Sequence, residues 1–203
     1  LFVSFDLSVI PNKNILLAVT GGIAAYKSAI LVRRLKDAGF QVRVVMTEGA
    51  QAFITPLTFQ ALSGNPVHTA LLDPEAEAGM GHIELARWAD LLLVAPASCN
   101  TIAKFAAGLA DDLLSTLYLA TKAPVWVAPA MNQQMWAAKA TQRNLATLVE
   151  DGVHVIMPDA GAQACGDVGL GRMPEPEDLA HQVTEYFHKA QRAMAEKFGM
   201  LAG

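Results

Sequence analysis

A parallel sheet covered by helices on both faces is the architecture this sequence predicts, on two observations. Five short apolar runs recur along the chain, each bounded by turn residues, and the stretches between them repeat apolar residues at helical spacing. The runs are NILLAVT (14–20), QVRVVMT (41–47), ADLLLVAPA (89–97), APVWVAPA (123–130) and GVHVIMP (152–158). Continuous apolar runs of this length suit strands buried on both sides. Strands alternating with helices imply right-handed crossovers, and so an α/β, doubly wound, mostly parallel sheet of the Rossmann-like (flavodoxin-like) kind. In such sheets ligands bind at the carboxyl ends of the strands, near the point where strand order reverses.

The helical stretches follow in order. Residues 23–37 place Ile23, Tyr26, Ile30, Leu31 and Leu35 on one stripe, with Gly39 as the C-terminal cap. Residues 99–120 read as a helix with few charges besides Lys104, Asp111 and Asp112. Residues 177–194, after Pro176, space Leu179, Val183, Tyr186, Phe187, Ala190 and Met194 helically. Pro129 ends the fourth run because it has no N–H to donate to a ladder. Residues 160–176, AGAQACGDVGLGRMPEP, carry four glycines and two prolines and show little helix or strand pattern, which suits a loop that closes over a ligand.

Composition excludes several classes of partner. A chain of 203 residues that is 53% hydrophobic can bury a large core, and one domain is expected. Net charge is −4 with no basic run, so neither nucleic acid nor a membrane surface is expected as a partner. The apolar runs are too short to span a bilayer. Two cysteines, Cys99 and Cys165, make no disulfide framework and point to a reducing compartment, the cytoplasm. The first ten residues, LFVSFDLSVI, lack the basic start and small-residue cleavage site of a signal peptide, and no clustered ligands suggest a metal.

Three turns at the predicted carboxyl edge carry the functional signal. TGGIAAYKS (20–28) leaves the first run through Gly21 and Gly22 into a helix N-terminus, an arrangement that can cradle a phosphate. It is not a G-x-G-x-x-G, and no acidic residue closes the second run where a nicotinamide dinucleotide ribose would want one. The runs ending VAPASCN and VAPAMN leave the sheet through the same Val-Ala-Pro-Ala exit, although two tight strand-to-helix turns would also account for that. Ser98, Asn100 and Thr101 sit where a helix begins and can either cap it or hold a phosphate. Such mouths along one edge suggest a phosphorylated cofactor. After the second exit the chain places Met131, Asn132, Met135 and Trp136 where an ordinary loop has small polar residues.

Five stretches in order, GGIAAYKS, GHIELARWAD, PASCNTIAKFAAGLADDLLST, PAMNQQMW and ACGDVGLGRMPEP, resemble the flavin-containing cysteine decarboxylase family, and within it the bacterial phosphopantothenoylcysteine decarboxylases of coenzyme A synthesis. The likeness runs from about residue 14 to residue 182. It implies FMN as cofactor, held by Gly21, Gly22, Ile23, Thr47, Ser98, Asn100 and Thr101 and by the backbone of Ala130. It implies phosphopantothenoylcysteine as the small-molecule substrate. Oxidation of its cysteinyl end to a thioaldehyde lets CO2 leave, and re-reduction gives phosphopantetheine. His82, on its residues alone a capping or surface histidine, matches the family's active-site histidine, and an imidazole ordinarily titrates near neutral pH. Asn132 and Met135 match substrate-recognition positions. A neutral amide can hold a carboxylate without the charge that would oppose loss of CO2. Met131, Met135 and Trp136 are then expected to wall the site. Cys165 matches the acid that protonates the enethiolate, whereas Cys99 reads as small filler.

His68 is expected in a loop before the Asp73-Pro74 turn, and His154, His181 and His188 have no chemical context. The resemblance further implies homotrimers, commonly arranged as dodecamers, with the cofactor at the subunit junction. Exposed apolar residues at Met131–Trp136 and along 99–120 would form the contact. Domain limits are expected as an N-terminal arm over 1–13, a flavoprotein decarboxylase domain over 14–198, and the start of a linker over 199–203. The linker would lead to a covalently joined synthetase domain, because the family's bacterial members are commonly bifunctional. Rival readings are a flavin prenyltransferase, a peptidyl-cysteine decarboxylase, and a non-enzymatic phosphatase-inhibiting relative.

Overall fold

The computed structural model describes residues 13–71 and 81–197. Most of the expected arm, all of the expected linker, Gly79 and the Asp73-Pro74 turn lie outside the described residues. Six strands, β1 (Asn14–Val19), β2 (Gln41–Met46), β3 (Val67–His68), β4 (Leu91–Ala97), β5 (Val125–Pro129) and β6 (His154–Val155), form one sheet in the order β3-β2-β1-β4-β5-β6. Every pairing in it is parallel. Strand order reverses between β1 and β4, so the crevice of a doubly wound fold opens there.

The central strands are apolar throughout because both of their faces are covered. Ile15, Leu17 and Val19 of β1 face one core with Leu91 and Leu93 of β4, whereas Leu16, Ala18, Leu92 and Val94 face the other. Helix α1 (Ala25–Asp37) and helix α9 (Pro176–Lys197) cover the first face through Leu31, Leu35, Val183 and Phe187. Helices α4 (His82–Trp88), α5 (Cys99–Ala106), α6 (Leu113–Ala120) and α8 (Lys139–Glu150) cover the second through Leu85, Phe105, Leu117 and Leu145. Two short helices, α2 (Glu48–Gln51) and α3 (Pro56–Ser63), follow β2, and α7 (Gln133–Ala137) follows β5. None of the described helices is long and apolar enough to cross a membrane.

Several expectations are corrected. Helix α1 starts at Ala25, and Ile23, Tyr26 and Ile30 are 61%, 56% and 39% exposed, so its buried stripe runs instead through Ala25, Ser28, Leu31, Val32 and Leu35. Gly39 does close it, at φ 91°, with its N–H on the Lys36 carbonyl. Residues 99–120 form two helices. The chain turns at Gly108 (φ 66°), and Asp112 starts α6 in a capping box with Ser115. Burial pushes the Asp112 carboxyl up, but hydrogen bonds from Lys104 and Ser115 outweigh it and hold the group below its ordinary range. His68 is buried in β3 rather than in a loop. On α9, Ala190 and Met194 face outward although Leu179, Val183 and Phe187 are buried.

The glycine-rich stretch is not irregular either. Strands β7 (Asp159–Ala162) and β8 (Val168–Arg172) pair antiparallel as a hairpin whose tip carries Cys165. Gly171 lies at φ 139°, where a Cβ would strike the Met131 carbonyl, so glycine lets the hairpin lie against the β5 exit.

Candidate active site

The switch point brings the exits of β1 and β4 together through a residue that no sequence motif singles out. Thr20 is fully buried; its Oγ1 donates to the Pro96 carbonyl at 2.6 Å and accepts the Ser98 N–H at 2.8 Å. Ser28 of α1 adds a second bridge, donating to the Ala95 carbonyl at 2.7 Å. The N-terminal ends of α1 and α5 are therefore fixed beside each other. Neither helix has an acidic residue in its first turn, so their positive dipole ends converge without a competing charge. An anionic phosphate fits that place.

The predicted cradle residues divide by what they do. A Cβ on Gly21 would lie 2.9 Å from the Gly49 backbone, so Gly21 lets α2 approach β1. Around Gly22 there is open space, so it is the glycine free to meet a ligand. Ile23 is exposed beside it. Thr47 caps α2, its hydroxyl accepting the Ala50 N–H at 3.3 Å. Ser98 caps α5, accepting the Thr101 N–H at 3.2 Å and donating to the Thr101 hydroxyl at 3.1 Å. Thr101 is thus turned inward and buried, whereas Asn100 is exposed. The amides of residues 99 and 100 have no acceptor within the helix and are available to a ligand. Ala130 gives its N–H to the Ala97 carbonyl at 3.1 Å, so a backbone contact from it to a ligand must use its carbonyl.

Asn132 and Cys165, 33 positions apart, are brought together. Asn132 caps α7 with its Oδ1, which accepts the Gln134 N–H at 2.8 Å. That bond fixes the orientation of the amide, because only the oxygen can accept. The Nδ2 group then faces the hairpin tip, 2.8 Å from Asp167 Oδ2, 3.4 Å from Gln163 Oε1 and 3.5 Å from Cys165 Sγ. Gln163 holds the hairpin in place: its Nε2 donates to the Met131 carbonyl at 3.1 Å and its Oε1 accepts the Gln133 N–H at 3.1 Å. The Met131 N–H also donates to the Gly171 carbonyl at 2.9 Å. Gln163 and Asp167, like Thr20, were not singled out from sequence; for Asp167, its place two residues from Cys165 was the available signal.

The remaining predicted residues are more dispersed. His82 opens α4, the helix that leads into β4, and so lies on an element separate from the hairpin. Met135 is exposed on α7. Trp136 is buried in the second core and is not part of an open wall, and Met131 packs against that same core. Cys99 lies 3.4 Å from the Thr141 hydroxyl, between α5 and α8, in keeping with a filler role. Two cavities lie elsewhere. One of about 480 Å³ flanks β6, and one of about 760 Å³ sits where β5 begins; of the predicted site residues only Trp136 lines either, in the first. The exits of β1, β4 and β5 put the cradle residues, Asn132 and the hairpin tip with Cys165 at the open carboxyl edge, and that edge is the candidate site.

The profile of the Flavoprotein family matches residues 7–188. The Coenzyme A biosynthesis bifunctional protein CoaBC of Vibrio parahaemolyticus is 59% identical over 181 residues, 89% of this chain and 45% of that protein. The chain spans about half the length of such relatives. A cysteine-to-serine mutant of PPC decarboxylase, solved in complex with pantothenoylaminoethenethiol, is 35% identical, with a TM-score of 0.77 over 87% of this chain and 98% of the other. The FMN-dependent cysteine decarboxylase SpaF is 30% identical, with a TM-score of 0.75 over 90% of this chain and 99% of the other. A profile match over most of the chain, with a relative 35% identical that is covered almost end to end, shows that the chain belongs to the flavoprotein family.

Proposed function

We propose that this chain is an FMN-dependent phosphopantothenoylcysteine decarboxylase, a carbon–carbon lyase that produces phosphopantetheine for coenzyme A synthesis. The observation that carries the reading is the Asn132 amide, locked by Gln134 so that its N–H group faces the site 3.5 Å from a thiol. A neutral donor beside an acid is what removal of a carboxylate followed by protonation of the remaining carbon requires. The relatives' names support the same substrate.

The cradle fits FMN: two helix N-termini without acidic residues, open space at Gly22, and exposed backbone and amide groups at residues 99–100 suit a phosphate and a ring at one edge. When bound there, FMN supplies the two-electron acceptor and donor that the reaction needs. Gly22, Ser98 and Asn100 hold the phosphate end, and Thr20 keeps the two loops in register from behind. The Asn132 Nδ2 group binds the substrate carboxylate, and Met135 packs on the cysteinyl end. His82 accepts or holds a proton beside the substrate. Cys165 delivers a proton from Sγ to the carbon left after CO2 departs, and the hairpin that carries it excludes water.

The matched relatives are bifunctional and this chain accounts for about half of their length. We assign residues 14–198 to the decarboxylase activity and the joining of cysteine to phosphopantothenate to the partner domain of the full-length protein. The enzyme acts in the cytoplasm as a homotrimer, itself arranged in dodecamers. In the expected contact Leu109, Leu119 and Met135 are exposed, while Ile102, Phe105, Leu113, Leu114 and Leu117 are core; the exposed Ile23 and, on α1, Tyr26 and Ile30 add to the apolar face.

Three incubations of the FMN-loaded chain test the reading: with phosphopantothenoylcysteine, with a peptide ending in cysteine, and with a prenyl phosphate. CO2 and phosphopantetheine from the first alone are expected. Turnover of the peptide or prenylation of the flavin, with no phosphopantetheine, would assign the chain to a rival activity.

A further inference from the structure

We propose that Asp167 is a built-in occupant of the carboxylate site, holding the Asn132 amide until the substrate carboxylate displaces it. The proposal rests on the substrate reading above. Of the three groups facing Asn132 Nδ2, the Asp167 carboxylate is the nearest, at 2.8 Å, against 3.4 Å to Gln163 and 3.5 Å to Cys165. That is the length of a charge-assisted hydrogen bond. The amide assigned to the substrate's carboxylate therefore already holds a carboxylate of the chain itself.

A simple latch between hairpin and loop does not require this contact. Gln163 already fastens the hairpin at both of its amide atoms, and the Met131 and Gly171 backbones add a further bond. The tip closes on itself through the Asp167 carbonyl, which accepts the Gln163 N–H at 2.8 Å whatever the side chain does. The Asp167 side chain is exposed, so it can swing into water on displacement without a desolvation cost. Two carboxylates cannot share one amide without repelling each other. Arrival of the substrate carboxylate therefore moves Asp167 away and shifts the tip that carries Cys165, two residues distant. Once that carboxylate has left as CO2, Asp167 takes the amide back.

The test uses FMN-loaded protein and two ligands that differ in the carboxylate. Phosphopantothenoylserine keeps the carboxylate and, having a hydroxyl for a thiol, is not turned over; phosphopantetheine lacks the carboxylate. Dissociation constants are measured by calorimetry for the wild type, Asp167→Asn and Asp167→Ala. Loss of the competing carboxylate should tighten binding of the serine ligand roughly tenfold in both variants while phosphopantetheine changes less than about twofold. Equal weakening of both ligands would make Asp167 a structural latch, and unchanged serine-ligand affinity would mean it does not compete; either result overturns the proposal. If neither ligand binds the wild type, the substrate reading itself falls, and this inference with it.

Discussion

Replacing Asn132 with Asp exchanges one NH2 group for an oxygen and leaves the side chain's size unchanged. The cap of α7 survives, because Asp accepts the Gln134 N–H as well as Asn does. The donor facing the hairpin is lost, and a negative charge takes its place. Losing a hydrogen bond to a charged group removes about 1.5–3 kcal/mol of substrate binding. Repulsion between two carboxylates about 4 Å apart adds about 1 kcal/mol in water and about 4 at an effective dielectric of 20. Asn132 is only half-buried, so the lower part of that range applies. The sum, about 3–5 kcal/mol, corresponds to a loss of about 10²–10⁴ in kcat/KM. The assay is CO2 release from phosphopantothenoylcysteine, with thermal unfolding and the flavin spectrum as controls. A kcat/KM within about threefold of wild type, in a folded and yellow protein, would refute the role given to the amide.

Other variants separate function from folding. Cys165→Ser should still release CO2 but yield phosphopantetheine about 10²–10⁴ times more slowly, leaving the flavin bleached; normal output would remove Cys165 as the acid. His82→Asn should keep a yellow, folded protein whose flavin substrate no longer bleaches, and normal bleaching would remove His82 from the mechanism. Gly21→Ala has to displace the Gly49 backbone and should lower the melting temperature, whereas Gly22→Ala meets open space and should lower FMN affinity at an unchanged melting temperature. Asp112→Ala should cost about 1 kcal/mol of stability at neutral pH. Because the folded-state pKa of Asp112 is depressed, its contribution is present above the ordinary value of 3.8 and is lost as pH falls through the folded value. The deficit of the variant, followed by denaturant melts, should therefore shrink in acid, and a deficit independent of pH would contradict that.

The sheet was legible because its central strands are covered on both faces, and such strands can only be written as unbroken apolar runs. Helix periodicity was less reliable. Ile23, Tyr26 and Ile30 repeat at helical spacing yet point outward, since spacing alone does not say which apolar stripe meets the chain's own core. The break between α5 and α6 was written in the sequence as Gly108 followed by Asp112 and Ser115, a turn and a cap hidden within an apolar stretch. The hairpin β7–β8 carried almost no signal. Its strands are glycine-rich and largely exposed, and main-chain bonds hold them together, so no side-chain pattern betrays them. At the site, Gly22, Asn132 and Cys165 were readable from their motifs. Thr20 and Gln163 work by joining segments that are distant in sequence, 78 positions apart for Thr20 and Ser98, and only the fold brings those segments together.

As a phosphopantothenoylcysteine decarboxylase, this chain has both to release CO2 from its substrate and to return the electrons to the product. The direct test is the stoichiometry of a complete turnover by the FMN-loaded protein under anaerobic conditions, with CO2, product mass and flavin absorbance followed together. One CO2 and one phosphopantetheine for each substrate consumed, with the flavin ending oxidised, is the predicted result. CO2 released with an enethiol as the final product and the flavin left reduced, or no CO2 at all, would contradict it.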